Sequence, residues 1–149
     1  RAILQGARTA EEFGVRIGVE NVWNMFLYSP LEFRKFIEEI DHEYVKVYFD
    51  VGNVSFLGFP QHWIEMLGDL IICVHVKDFV FHMQDFESAT LKFKSLLQGE
   101  IDWRFVMRAL RKIRYRYFLN VEIPPNPADP LKPALINRSA LDQILGIET

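Results

Sequence analysis

Four residues able to ligate a divalent cation each close a short apolar run. Glu20 follows Val15–Val19, Asp50 follows Tyr44–Phe49, His75 follows Leu70–Val74, and Glu122 follows Tyr117–Val121. Three carboxylates and one imidazole form a donor set suited to a single divalent ion. To act together, the four must stand at neighbouring strand tips. Val, Ile, Tyr and Phe dominate the runs, each followed by loop residues and then a helical pattern, as in buried parallel strands of βα units. The polar residue ending such a strand lies at the C-terminal rim, where barrel enzymes built from these units keep their chemistry.

The remaining elements carry these strands. Arg1–Phe13 has apolar residues near helical spacing, and Gly14 can end that helix. Asn21–Phe26 is a loop rich in rings and amides, a rim loop with Asn21 and Trp23 as candidate substrate contacts. Ser29–Pro30–Leu31–Glu32 is a strong helix start, with serine as cap, proline at the first helical position and Glu32 closing a capping box. Leu31, Phe33, Phe36, Ile37 and Ile40 supply its buried face. After Asp50, Gly52 permits a sharp turn and Asn53 can aim a neutral amide into the mouth. Gln61–Leu67 reads as a short helix closed by Gly68. His42 and His62 are expected at the surface.

Lys77 and Asp78 follow the third strand, and either pair with each other or contact substrate. Phe79–Phe93 shows no clear period and is expected to be a long connection, a mobile lid over the mouth, containing His82. Asp102 is the expected N-cap of a helix with Phe105, Val106, Ala109, Leu110 and Ile113 inward, and its arginines and lysine form a solvated basic flank. Pro124–Pro125 stop further strand pairing, and Ala134–Leu145 is a final helix.

With 149 residues, half of them apolar, the chain can bury a core, and it is expected to form one domain over 1–149. A net charge of −3 offers no footprint for nucleic acid. No run reaches the roughly 18–20 apolar residues of a membrane span. Cys73, inside an apolar run, reads as a small buried hydrophobe, and a lone cysteine suits the cytoplasm, the expected location. The strand-end residues are separated by 30, 25 and 47 positions, against roughly 31 residues per βα unit in a complete eight-unit barrel. Four units therefore use up the chain, which amounts to half a barrel.

Val19–Glu20–Asn21, Tyr48–Phe49–Asp50–Val51–Gly52–Asn53, Val74–His75–Val76–Lys77–Asp78, Gln98–Gly99–Glu100–Ile101–Asp102–Trp103 and Val121–Glu122 together resemble the sugar-phosphate isomerase/epimerase family of the xylose isomerase-like TIM-barrel superfamily. The resemblance implies an α/β fold of TIM-barrel type, four parallel strands with helices, corresponding to the C-terminal half of the family's barrel. It implies one divalent ion (Mn2+, Mg2+, Co2+ or Zn2+) held by Glu20, Asp50, His75 and Glu122, with Glu20 and Glu122 doubling as the acid/base pair. The implied activity is isomerisation or epimerisation of a small sugar or sugar phosphate. A proton moves beside a carbonyl polarised by the cation, through an enediolate. Substrate contacts are expected from Asn53, Lys77, Asn21 and Trp23.

The sequence departs from that pattern in three places. Asn53 stands where many ketose epimerases of the family carry a substrate-contacting histidine. No clear phosphate-binding arginine follows the third strand. The N-terminal half of the family's barrel is absent, which would leave apolar strand edges open. The expectation is a homodimer, or pairing with a missing N-terminal half; the alternative is an inactive half-barrel that binds metal or a partner chain. The zinc AP-endonucleases of the superfamily are a poor match, because they need several histidines at strand ends and a basic DNA-binding face.

Overall fold

The structure, a computed structural model, describes residues 1–55, 58–80, 92–123 and 128–148. Helix α1 (Ala2–Glu12) precedes strand β1 (Ile17–Glu20), and the chain returns through α2 (Pro30–Ile40) to β2 (Val45–Asp50). A single turn of helix, α3 (Val51–Ser55), and α4 (Pro60–Leu67) lead through the 3-10 turn Gly68–Leu70 to β3 (Ile71–Val76). Two short strands, β4 (Asp78–Val80) and β5 (Lys92–Lys94), come next. They are followed by α5 (Trp103–Lys112), β6 (Leu119–Val121) and α6 (Leu131–Leu145).

β1, β2, β3 and β6 form one parallel sheet in that order, the four-stranded α/β arrangement expected. Helices cover one face. Between them and the sheet lie Phe33, Val47, Phe49, Ile64, Leu67, Val74 and Val76, all without solvent exposure. The opposite face carries the alternate residues set by the period-two geometry of a strand, among them the partly exposed Lys46, Tyr48, Cys73 and His75 and the sealed Asp50. A register shift between Val47 and Tyr48 sets Tyr48 opposite Cys73 and Asp50 opposite His75. That local irregularity aligns the two central strand ends.

Helix boundaries follow local chemistry. The Ser29 hydroxyl accepts from Leu31 N at 3.3 Å, with Pro30 at the first position of α2, and Asp102 accepts from Arg104 N at 3.0 Å at the start of α5. Two inward assignments are corrected: Leu31 is 65% exposed because it lies in the first turn, and Phe105 is 47% exposed, lying under Arg108. Met107 takes the inward position instead. α6 begins at Leu131 rather than Ala134, since Pro133 fits a first helical turn, where its missing N–H costs nothing. His42 is partly buried, its Nδ1 accepting from Tyr44 N at 3.3 Å; His62 is exposed.

The 79–93 connection is not featureless at its ends. β4 and β5 pair antiparallel, with Phe79 opposite Phe93. The lid reading and His82 fall within 81–91, outside the described residues. No helix among the described residues is long and apolar enough to cross a membrane.

Candidate metal centre

The sheet order delivers the four ligand candidates side by side. Glu20 ends β1, Asp50 ends β2, His75 lies in β3 opposite Asp50, and Glu122 follows β6, its N–H still bonded to Val76 O at 3.1 Å. One ligand atom from each lies within 4.8 Å of every other. Nδ1 of His75 is 2.9 Å from Glu20 Oε1, 3.7 Å from Asp50 Oδ2 and 3.8 Å from Glu122 Oε2. Burial is graded across the group, from a sealed Asp50 to a half-exposed Glu122.

Lys77 lies two residues beyond His75 and so projects from the same face of the strand. Its ammonium bonds Glu122 Oε2 and stands 2.8 Å from Asp50 Oδ2. Burial draws the lysine's pKa down, but the bonds to Asp50 and Glu122 outweigh it and hold the ammonium above its ordinary value. The bond from Lys77 is the main influence holding the Glu122 carboxyl below its usual range. Asp50 goes the other way. Loss of solvent pushes it up to about 6, against the opposing pull of Lys77.

The two oxygens of Asp50 have different fates. Oδ1 accepts from Asn53 N at 2.8 Å, whereas Oδ2 is sealed and has the Lys77 ammonium, 2.8 Å away, as its ion-pair partner. A buried carboxylate oxygen held only by charge, inside a ring of two further carboxylates and an imidazole, fits a divalent cation.

Asn21, Asn53 and Trp23 build the shelf beneath this ring. Asn21 donates to Asp50 O at 2.9 Å and accepts from Asp50 N at 2.8 Å, which ties the loop after β1 to the end of β2. Asn53 donates to Asn21 O at 2.8 Å, and Trp23 Nε1 donates to Asn53 O at 2.8 Å. Both amides are buried, and these bonds engage their side chains with the backbone that orients Asp50. Gly52 is needed for closeness rather than for a turn. A Cβ there would collide with the stem of Lys77 and lie 2.7 Å from the Phe79 ring.

A layer below the ring escaped the reading of strand tips. Two residues before each candidate ligand, on the same face, stand Gly18, Tyr48, Cys73 and Asn120. Asn120 Nδ2 donates to Tyr48 Oη at 2.7 Å and lies 3.0 Å from Cys73 Sγ. Tyr48 packs on the His75 ring, centroids 4.2 Å apart, and burial pushes its hydroxyl up to about 12. Gly18 leaves room for it, since a Cβ there would sit 2.9 Å from Tyr48 Cβ. The strand period alone was the available signal.

Lys77 and Asp78 do not pair. Asp78 faces away from the ring, where it accepts from Phe79 N (3.0 Å), Leu97 N (3.0 Å), Ile101 N (3.4 Å) and Trp103 Nε1 (3.2 Å). A Cβ on Gly99 would collide with its Oδ1. The Gly99–Glu100–Ile101–Asp102–Trp103 segment thus supplies the space and donors for one buried carboxylate.

Comparisons with known proteins agree with this fold. A family model described as the xylose isomerase-like TIM barrel matches residues 1–142. The fold is similar to that of a xylose isomerase domain protein from Planctomyces limnophilus, at TM-score 0.80 and 20% identity, over 97% of this chain and 50% of that one. An L-ribulose 3-epimerase gives TM-score 0.76 at 20% identity, over 97% of this chain and 52% of that one. A xylose isomerase-like TIM-barrel protein from Mycobacterium smegmatis, in complex with magnesium, gives TM-score 0.75 at 20% identity, over 95% and 47%. The chain therefore spans about half the length of the solved structures it matches.

Proposed function

The chain belongs to the xylose isomerase-like TIM barrel family, and on that premise we propose that it carries the metal-binding half of a sugar isomerase or epimerase. The observation that supports this most is the convergence of Glu20, Asp50, His75 and Glu122 within 4.8 Å. The magnesium in one structural neighbour and the sugar epimerase activity named for another favour the same reading. A divalent ion held by those four side chains would polarise a sugar carbonyl and acidify the neighbouring C–H.

The chain's own residues then do the proton work. Glu20 and Glu122 come from the two outer strands of the sheet, on either side of Asp50 and His75. One takes the proton from carbon and the other returns it. Return to the opposite face of the same carbon gives an epimer; return to the neighbouring carbon gives an aldose–ketose isomer. Asp50 is sealed and does not shuttle protons in this scheme; its task is to hold the ion. Before an ion is bound, Lys77 supplies positive charge next to Glu122 and Asp50. Asn21 and Asn53 are buried and act by positioning Asp50, whereas Trp23, 41% exposed, offers an open ring edge to substrate.

The experiment is to incubate the protein with Mn2+ and a panel of ketoses in deuterated water and follow deuterium at carbon. Exchange should occur, and Glu122→Gln should slow it by about a hundredfold or more. Bound Mn2+ without exchange in any ketose would reject the catalytic part.

A second reading rests on the open face. Glu122 is half-exposed, Phe118 is 77% exposed and Val15 is 59% exposed. β1 and β6 are the outer strands of the sheet. We infer that this face is completed by a second copy or by a separate N-terminal half. The isolated chain would then bind metal without turnover until paired. Light scattering with and without such a partner tests the pairing.

A further inference from the structure

We propose that Lys77 is the resident counter-ion of the carboxylate ring, so that a divalent ion loads only by displacing the lysine ammonium. The inference rests on the metal-site reading above and adds a competitor built into the chain.

The argument starts from which oxygens are free. Asp50 Oδ1 is committed to Asn53 N, so Oδ2 is the oxygen that Asp50 has left for an ion. Lys77 Nζ stands 2.8 Å from that atom. The same ammonium bonds Glu122 Oε2. Both oxygens lie within 3.8 Å of His75 Nδ1, so the lysine occupies two of the candidate ligand oxygens themselves.

The placement is enforced by packing. Lys77 is only 6% exposed, and its stem lies against Gly52 where any larger residue would collide. A lysine free to wave in solvent would exert little influence, because water screens it. One packed against glycine inside a half-closed site holds its charge at the carboxylates. The ring carries three carboxylates, and the lysine offsets one of those charges. A divalent ion at the same two oxygens would face the ammonium at contact distance, and like charges that close in a partly dry site repel strongly.

Two consequences follow. The metal-free site is kept from flying apart by Lys77, since three acidic groups within a few ångströms otherwise repel. Loading releases the ammonium, which then lacks its carboxylate partners and is available to a substrate oxygen. Lys77 therefore contacts substrate only in the loaded protein.

The test compares wild type, Lys77→Met and Lys77→Arg by calorimetric titration with Mn2+ at fixed pH, with thermal melting in chelator alongside. Lys77→Met should bind Mn2+ about tenfold or more tightly than wild type, while Lys77→Arg should not gain affinity. In chelator, Lys77→Met should melt lower than wild type. Equal or weaker Mn2+ affinity in Lys77→Met, with wild type binding normally, would overturn the inference and leave the metal site standing. Failure of wild type and Lys77→Met alike to bind Mn2+ would remove the metal reading itself. A measurement on the unsubstituted chain covers the case in which Lys77→Met does not fold. Reductive methylation of Lys77, read by mass spectrometry, should rise severalfold when Mn2+ replaces chelator; unchanged labelling or protection would count against displacement.

Discussion

Asp50 and Asp78 are both sealed from solvent, at 0% and 1% exposure, and both lie where a strand meets the rim. Burial pushes the pKa of each upward. The chain then treats them in opposite ways. Asp78 has donors on both oxygens, three backbone N–H groups and an indole among them, and a glycine beside it that keeps the space clear. Asp50 has one donor on Oδ1 and, on Oδ2, only the charge of Lys77. Desolvation cost is similar in kind for the two, so the donors mark the difference in purpose. A carboxylate with every lone pair claimed joins pieces of chain. One whose second oxygen meets only a lysine ammonium keeps an acceptor that a competing cation can use.

The largest effects should come from breaking the saturated member. Asp78→Asn turns an acceptor into a donor facing donors, which should cost about 3 kcal/mol or more in urea denaturation. Gly99→Ala should cost at least as much, because its Cβ has nowhere to go but into Asp78. Asp50→Asn should behave differently. In chelator its stability should stay within about 1 kcal/mol of wild type, because relief of the buried charge offsets the attraction lost with Lys77. Lys77 keeps Glu122 in that variant. Mn2+ binding by titration should nevertheless disappear. If Asp50→Asn unfolds the protein as severely as Asp78→Asn, the contrast between the two aspartates is wrong.

That contrast was only half legible in the sequence. The convergence of the four candidate ligands could be read because a polar residue ending an apolar run is a pattern of residue types, and parallel strands place such ends together. The parallel sheet was legible for the same reason, from Tyr44–Phe49 and Leu70–Val74. Asp78 was not, because its partners are mostly backbone N–H groups at Leu97, Ile101 and Phe79, which every residue type offers alike. Asn21 and Asn53 read as substrate contacts, since an amide near a rim looks the same whether it faces solvent or grips a neighbouring main chain. Tyr48 and Asn120 lay one strand period below the ligands and could have been found by counting back two. β4 and β5 span three residues each, too short for an alternation to show.

The smallest and most selective test of the contrast is the pH dependence of stability in chelator. Asp50 titrates near 6 in the folded protein, against an ordinary value of 3.8. The folded state therefore binds this proton more tightly than the unfolded chain does. The stabilisation that goes with it is present at low pH and is lost as pH rises from about 4 through about 6. Glu122, held below its ordinary 4.5, has the opposite sign: its contribution is present above that value and fades as pH falls through its lowered value. Between about pH 5 and 6.5 Glu122 is largely ionised in both states, so a decline in urea stability across that window is the sign expected of Asp50. Asp78 is raised as well and stays in place in Asp50→Asn. The slope that Asp50→Asn removes is therefore that of Asp50 with the groups it touches, and equal slopes in the two proteins would show that its carboxyl is not destabilised by burial. Saturating Mn2+ should reverse the sign of the wild-type slope, because the ion binds the deprotonated ring and competes with its protons.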